Sequence, residues 1–60
     1  MYIVEITYDF FGEKRIYKTR RDYLDNARKL MREIGMNGLD MTDSYIPASK
    51  IIWVQIYTRE

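Results

Sequence analysis

The stretch that decides the fold is YIVEITY, residues 2–8, in which the side chains alternate between two sides of an extended chain. The even-numbered positions from 2 to 8 are all aromatic or aliphatic, whereas Glu5 and Thr7 stand on the other side. A period of two is typical of a strand with one buried face. The pattern therefore predicts a strand with Val4 and Ile6 directed towards a core.

A hairpin is expected directly after this strand. Residues 9–13 contain Gly12 and predict the loop, and residues 14–18 predict a shorter second strand. Our assignment places Tyr17 on the same side as the polar side of the first strand, together with Arg15. The reverse assignment, with Ile16 on that side, stays open because both side chains suit a half-buried strand.

One amphipathic helix is predicted next. Thr19 is expected to be its N-cap, with Asp22 three residues later in a position that resembles a capping box. Apolar residues then recur at helical spacing within an arc of about 120°. The members of this arc are Tyr23, Leu24, Ala27, Leu30, Met31 and Ile34. Gly35 is expected to end the helix in a left-handed conformation.

The remaining third of the chain combines a long loop with the strongest strand. Residues 36–49 are rich in turn formers, and a loop of this length is usually functional or partly structured. Residues 50–58 alternate again, with Ile52, Val54 and Ile56 on one side. Trp53 and Tyr57 are on the other side.

These elements predict one α+β domain over residues 1–60, with the order β-β-α-β. A single helix can cover only one face of a three-stranded sheet. The third strand is expected beside the first, antiparallel to it, which gives a two-layer fold with the sheet order 2-1-3 and one helix on one face.

The face without a helix is the leading candidate for an interaction site. Polar residues normally cover such a face, whereas this one carries large apolar side chains. Trp, Tyr and Arg are also enriched among residues that dominate binding energy. The predicted interaction or dimer face consists of Ile3, Arg15, Tyr17, Trp53, Gln55 and Tyr57. The alternative is that the long loop folds over this face, since it contains Leu39 and Ile46 among other apolar residues.

The charge distribution suggests a second candidate surface. Eight of the ten basic residues lie between positions 14 and 32, against only Asp22 and Asp25, a net charge of +6. The first thirteen residues carry −3 and the last twenty-eight carry −2, so the overall +1 hides a polarised chain. An uneven charge distribution of this kind indicates interaction with binding partners.

A row of arginines is expected on the helix, because positions 21, 28 and 32 fall within about 40° of one another. This row predicts contact with phosphates or with an acidic protein surface. The candidate contacts are Lys14, Lys18, Arg20, Arg21, Arg28 and Arg32. The alternative is a solvated helix face, in which Asp25 supports the helix through Arg28 and Lys29.

The composition excludes several kinds of covalent cross-link, metal site and catalytic site. The chain has no Cys and no His, which removes disulfides, thiolate zinc sites and the commonest catalytic base. Asp40, Asp43 and Ser44 remain, but they lack the spacing of a calcium loop. We therefore expect no catalytic residue, no metal and no cofactor. No apolar run approaches a membrane span, and a cytoplasmic location is expected.

The leading hypothesis is a small non-enzymatic module that binds another protein. Oligomerisation is the one common means left to stabilise so small a core, so a homodimer is expected. A domain of this size would fit an accessory or inhibitor protein that binds a host protein, for instance one from a phage or mobile element. The alternative hypothesis is a nucleic-acid-binding module that uses the basic residues.

Overall fold

The computed structural model describes residues 1–59 and has the predicted α+β architecture. Its elements in chain order are β1 (Tyr2–Phe10), β2 (Glu13–Arg21), α1 (Leu24–Asn37), β3 (Leu39–Asp40), β4 (Tyr45–Ile46), a 3₁₀ helix (Ala48–Lys50) and β5 (Ile51–Thr58). β1 lies between β2 and β5 and is antiparallel to both, and α1 packs on this sheet. The predicted fold class and strand order are confirmed.

The core lies between α1 and the even-numbered side of β1. Val4 and Ile6 are fully buried, and they share a cluster with Ala27 and Ile34 of the helix. Ile56 of β5 packs against the same cluster. We call this side of the sheet the helix face and the opposite side, which carries the odd-numbered residues of β1, the open face.

The β1–β2 hairpin is longer and tighter than predicted. Phe10 pairs with Glu13, so only Phe11 and Gly12 remain in the turn, where a five-residue loop was expected. Both turn residues have positive φ, 54° and 86°, as a type I′ turn requires. The pairing continues to the far end of β1, where Tyr2 is opposite Arg21.

The helix therefore begins later than predicted. Thr19 is not its N-cap, because this residue pairs with Val4 inside the sheet. Tyr23 occupies the N-cap position without a capping side chain, and its carbonyl oxygen accepts the first helical hydrogen bond, from the Ala27 amide at 3.1 Å. Pairing along a full nine-residue strand outweighed the local capping preference.

The helix also ends later than predicted. Gly35 lies inside α1, whereas Gly38 forms the C-cap and donates its amide to the Ile34 carbonyl oxygen at 2.9 Å. Gly38 has φ 87° and ψ −176°, a region that only glycine occupies readily. A Cβ atom at this position would also collide with the Ile46 carbonyl oxygen.

The segment between α1 and β5 is partly structured, which is one of the two possibilities expected for a loop of this length. Leu39 and Ile46 pair in the short β3–β4 hairpin, and both side chains are buried in the core cluster. The hydroxyl of Tyr45 hydrogen-bonds to the Asn37 carbonyl oxygen at the end of α1. The segment thus extends the helix face, and the alternative that it covers the open face is wrong.

β5 departs from the predicted alternation at its start. The register shifts between the pairs Thr7–Trp53 and Tyr8–Ile51, which leaves Ile52 as an extra residue at a bulge. Ile51 packs against the core in the place predicted for Ile52, which is exposed instead. Within residues 1–59, no helix has the length and apolar character needed to cross a membrane.

Candidate functional site: the open face

The open face consists of three rows of side chains that run across β2, β1 and β5. Because directly paired residues project on the same side of a sheet, the register defines these rows. They are Ile16–Thr7–Trp53, Lys18–Glu5–Gln55 and Arg20–Ile3–Tyr57. Lys14 adds a further basic residue opposite Asp9 at the hairpin end.

The first row is an exposed apolar band. Trp53 is 60% exposed and Ile16 is 59% exposed, although both belong to strands of a folded sheet. Only the small side chain of Thr7 lies between them. The bulge residue Ile52 is exposed at the same end of β5. Apolar side chains clustered in this way on a sheet surface are typical of interaction sites.

The second row is a polar network centred on Glu5. One carboxylate oxygen of Glu5 accepts a hydrogen bond from the Gln55 amide nitrogen at 3.0 Å. The other oxygen is 3.4 Å from the Tyr57 hydroxyl and 3.8 Å from the Lys18 ammonium nitrogen. The single carboxylate thereby links side chains of all three strands beside the apolar band.

The third row has a buried residue at its centre. Ile3, a predicted interaction residue, lies on the open face as expected but is only 7% exposed. Its paired neighbours Arg20 and Tyr57 flank it, and Arg59 lines the same shallow cleft. Ile3 therefore supports the face from below and leaves direct contact to Trp53, Tyr57 and the polar residues beside them.

The predicted positions of Tyr17 and Arg15 on the open face are wrong. The register pairs Tyr17 with the buried Ile6 and Arg15 with Tyr8, so both belong to the helix face. The Arg15 guanidinium lies over the Phe10 ring at 4.3 Å, within the range of a cation–π contact, and 3.5 Å from the Glu13 carboxylate. The reverse assignment, with Ile16 on the open face, is the one observed.

The predicted arginine row on the helix does not form. Arg21 ends β2 and donates hydrogen bonds to Thr19 Oγ1 at 3.0 Å and to the Arg20 carbonyl oxygen at 2.7 Å. It lines a cleft with Asn26 and Lys29 of α1.

Arg28 and Arg32 lie on the other flank of the helix. At about 100° per residue, they fall on one side of the buried Ala27, whereas Asn26 and Lys29 fall on the opposite side. The two helical arginines are exposed and far round the helix surface from Arg21. Because the helix was expected to begin directly after Thr19, all three arginines had been placed on one side of it.

The basic residues of β2 join the apolar band on the open face. Lys14, Lys18 and Arg20 follow one another along β2 on the side that also presents Trp53. Of these three, only Lys18 pairs with a carboxylate of residues 1–59. Half of the predicted basic contacts therefore share the open face with Trp53, whereas Arg21, Arg28 and Arg32 lie elsewhere.

The hairpin turn contains an exposed residue that the sequence analysis did not single out. Phe11 is 94% exposed and has φ 54°, which is uncommon for a bulky side chain. Its ring meets that of Phe10 edge-on at 4.7 Å. Phe10, Phe11 and Pro47 line a cleft of about 330 Å³ between the turn and β4. The sequence feature that could have indicated this turn is the Phe-Gly pair between the two predicted strands.

Neither the arrangement of potential metal ligands nor comparison with known proteins assigns a function to this chain. Within residues 1–59, no three His, Cys, Asp or Glu side chains come close enough together to hold a metal ion, and Asp40 and Asp43 lie in the β3–β4 hairpin. No protein-family model, curated protein or solved structure matches this chain.

Proposed function

We propose that this chain is a non-enzymatic protein-interaction module that binds another protein through its open face. The observation that carries the proposal is the exposed Ile16–Thr7–Trp53 band on the side of the sheet opposite α1 and the core cluster. Covering the exposed part of Trp53 would contribute about 3 kcal/mol, which is the size expected of a binding hot spot.

The charges around the band favour a partner with an acidic surface. Lys14, Lys18 and Arg20 border the apolar band, whereas Glu5 is engaged with Gln55 and Lys18. Asp9, the other carboxylate on this side, accepts a hydrogen bond from the Gly12 amide at 2.9 Å. Three basic side chains thus stand against two carboxylates on this face of residues 1–59, and the excess positive charge would raise the association rate with an acidic partner and select against basic ones.

Binding without catalysis agrees with the residue types present. The chain has no His, the commonest catalytic base, and no Cys nucleophile. A module that occupies a partner's surface needs neither, and accessory and inhibitor proteins can act in this way. An ordered, small sheet face suits this role because little conformational entropy is lost on binding.

The experiment is affinity capture from a lysate of the organism that encodes the chain, with variants that separate the open face from the rest. In the test variant, Ile16→Thr and Trp53→Thr remove the apolar band while keeping strand-forming residues. The matched control is Met36→Thr, which removes a 79% exposed apolar side chain from α1. Circular dichroism verifies that each variant is folded.

We expect one protein to be captured by the wild type and by the Met36→Thr control, and its recovery to fall at least about tenfold with the double variant. Equal recovery with all three chains would contradict the proposal. Capture of nothing by the wild type would contradict it as well.

The second candidate function is binding of single-stranded nucleic acid, which the shared face of Lys14, Lys18 and Trp53 favours. Two features weigh against it. Trp53 and Tyr57 are four residues apart on one strand, about 13 Å, which is too far for stacking of successive bases. The Glu5 carboxylate also lies between them and would repel phosphates.

A salt titration tests this second function. Binding to phosphates weakens steeply as salt rises, and changing Lys14, Lys18 and Arg20 to Gln should reduce that slope. Absence of binding to single-stranded RNA or DNA at low salt would exclude nucleic acid as the partner.

A further inference from the structure

The two edges of the three-stranded sheet differ in a way that bears on self-association. β2 carries five basic residues and one glutamate, whereas β5, with the sequence IIWVQIYT, carries no charged residue. Within residues 1–59, neither strand has a β partner on its outer side. Both edges therefore present backbone amide and carbonyl groups to which another strand could bind.

Proteins usually protect such edges with charges, prolines, bulges or short strands. β2 is protected by its lysines and arginines. β5 has only the bulge at Ile52, and the six residues from Trp53 onwards pair with β1 in regular register. This run has no proline, glycine or charge and is rich in strand-forming residues, a composition that favours pairing with further strands.

We propose that β5 pairs antiparallel with β5 of a second copy, so that two chains form one continuous six-stranded sheet around a two-fold axis. This inference rests on the proposal that the chain is a protein-interaction module, but it concerns the edge of the sheet instead of the open face. The two proposals can therefore fail separately.

Charge selects this arrangement among the possible pairings of the two edges. Two β5 strands meet without any like charges, whereas two β2 strands would bring five basic residues against five others. Pairing of β5 with β2 of the next copy is head-to-tail, so it leaves a free uncharged β5 edge at one end of every assembly that does not close into a ring. The two-fold pairing of β5 closes, and it leaves only basic β2 edges at both ends of the assembly.

A second copy of the chain is also a partner for the β5 edge that is present wherever the chain is made. An uncharged, strand-forming edge left open would favour aggregation whenever the chain is made. A copy of the same chain is available at the same concentration and covers the edge by symmetry. Pairing across a two-fold axis perpendicular to the sheet keeps both helices on one side and both open faces on the other.

The test is the mass of the chain in solution, by size exclusion with light scattering at high micromolar concentration. We expect twice the 7.3 kDa of one chain. Gln55→Lys adds a charge to the middle of β5 and places it beside Glu5, as Lys18 already is on the other side. With the two-fold axis at Gln55, near the middle of the regular run, the variant should fold but dimerise at least about tenfold more weakly, because the two added charges then face each other.

The matched control is Ile16→Lys, which adds the same charge to the middle of β2, and it should dimerise like the wild type. Since the chain has no cysteine, cross-linking gives a second measurement. A short bis-maleimide should link Gln55→Cys chains into dimers and leave Lys18→Cys chains unlinked.

Three results would overturn the proposal. They are a monomeric wild type at high micromolar concentration, a dimer that Ile16→Lys disrupts and Gln55→Lys does not, and cross-linking through Lys18→Cys. A monomeric wild type could still capture a partner through Ile16 and Trp53, so failure of this proposal is distinguishable from failure of the proposed function.

Discussion

The two faces of the sheet use the same three strands in opposite ways. On the helix face, Ile6 is fully buried in the core cluster. The segment between α1 and β5 adds Leu39 and Ile46 to the same cluster. On the open face, Ile16 and Trp53 stay more than half exposed. Buried apolar residues such as Ile6 therefore stabilise the fold, whereas the exposed Ile16 and Trp53 contribute little to it and remain accessible to a partner.

The same substitution on each face gives the largest expected contrast. Ile6→Thr removes part of a fully buried side chain and places a hydroxyl in an apolar core, which should lower the free energy of unfolding by about 3 kcal/mol. Ile16→Thr should lower it by about 0.5 kcal/mol, because this side chain is mostly in water. Urea denaturation followed by circular dichroism measures both, and similar losses would show that the faces do not differ in this way.

Two glycines of α1 and its C-cap, on the helix side of the sheet, provide the next contrast. Gly38→Ala should lower the free energy of unfolding by about 2–3 kcal/mol, because φ is positive and the added Cβ meets the Ile46 backbone. Gly35→Ala should raise it by about 0.5–1 kcal/mol, since Gly35 is inside α1 with open space around it. Thermal denaturation of the two variants should shift in opposite directions, and shifts of the same sign would contradict the observed end of the helix.

The polar row of the open face should have a smaller effect. Glu5→Ala removes the acceptor shared by Gln55 and Tyr57 and should lower the free energy of unfolding by about 1 kcal/mol. A double-mutant cycle with Gln55→Ala should give a coupling of about 0.5–1 kcal/mol. A coupling of zero would mean that the network does not hold the strands of this face together.

The smallest effect is expected at the turn, which belongs to neither face. Phe11→Asn should raise the free energy of unfolding by about 0.5 kcal/mol, because asparagine tolerates positive φ in a type I′ turn better than phenylalanine does. Chemical denaturation measures the change against the wild type. A loss of stability would show that the Phe11 ring supports the fold through its contact with Phe10.

The strand order was predictable, whereas the side of β2 that faces the helix was not. The alternation around Val4 and the single helix were sufficient for a sheet with β1 in the middle. For β2, the predicted five-residue loop left the register open, and shifting it by one residue exchanges Tyr17 for Ile16. The two-residue turn at Phe11 and Gly12 decides this, and phenylalanine conceals the usual Asn-Gly signal.

The site was predicted in part for a related reason. Trp53, Gln55 and Tyr57 lie where the period of two places them. The arginine row failed because Thr19 has good capping chemistry, and only the tertiary pairing with Val4 shows that the chain is still extended there. Local preferences cannot reveal how far a strand continues when its partner is distant in sequence.

Trp53 is the only tryptophan of the chain, so its fluorescence reports directly on the open face. The most direct test of the account is the emission maximum of Trp53 while the captured partner protein, made without tryptophan, is added. If the partner binds the open face, the emission should move to shorter wavelength as the indole leaves water, and the change should saturate at a fixed stoichiometry. Binding at that stoichiometry with an unchanged emission maximum would place the partner elsewhere and contradict the account.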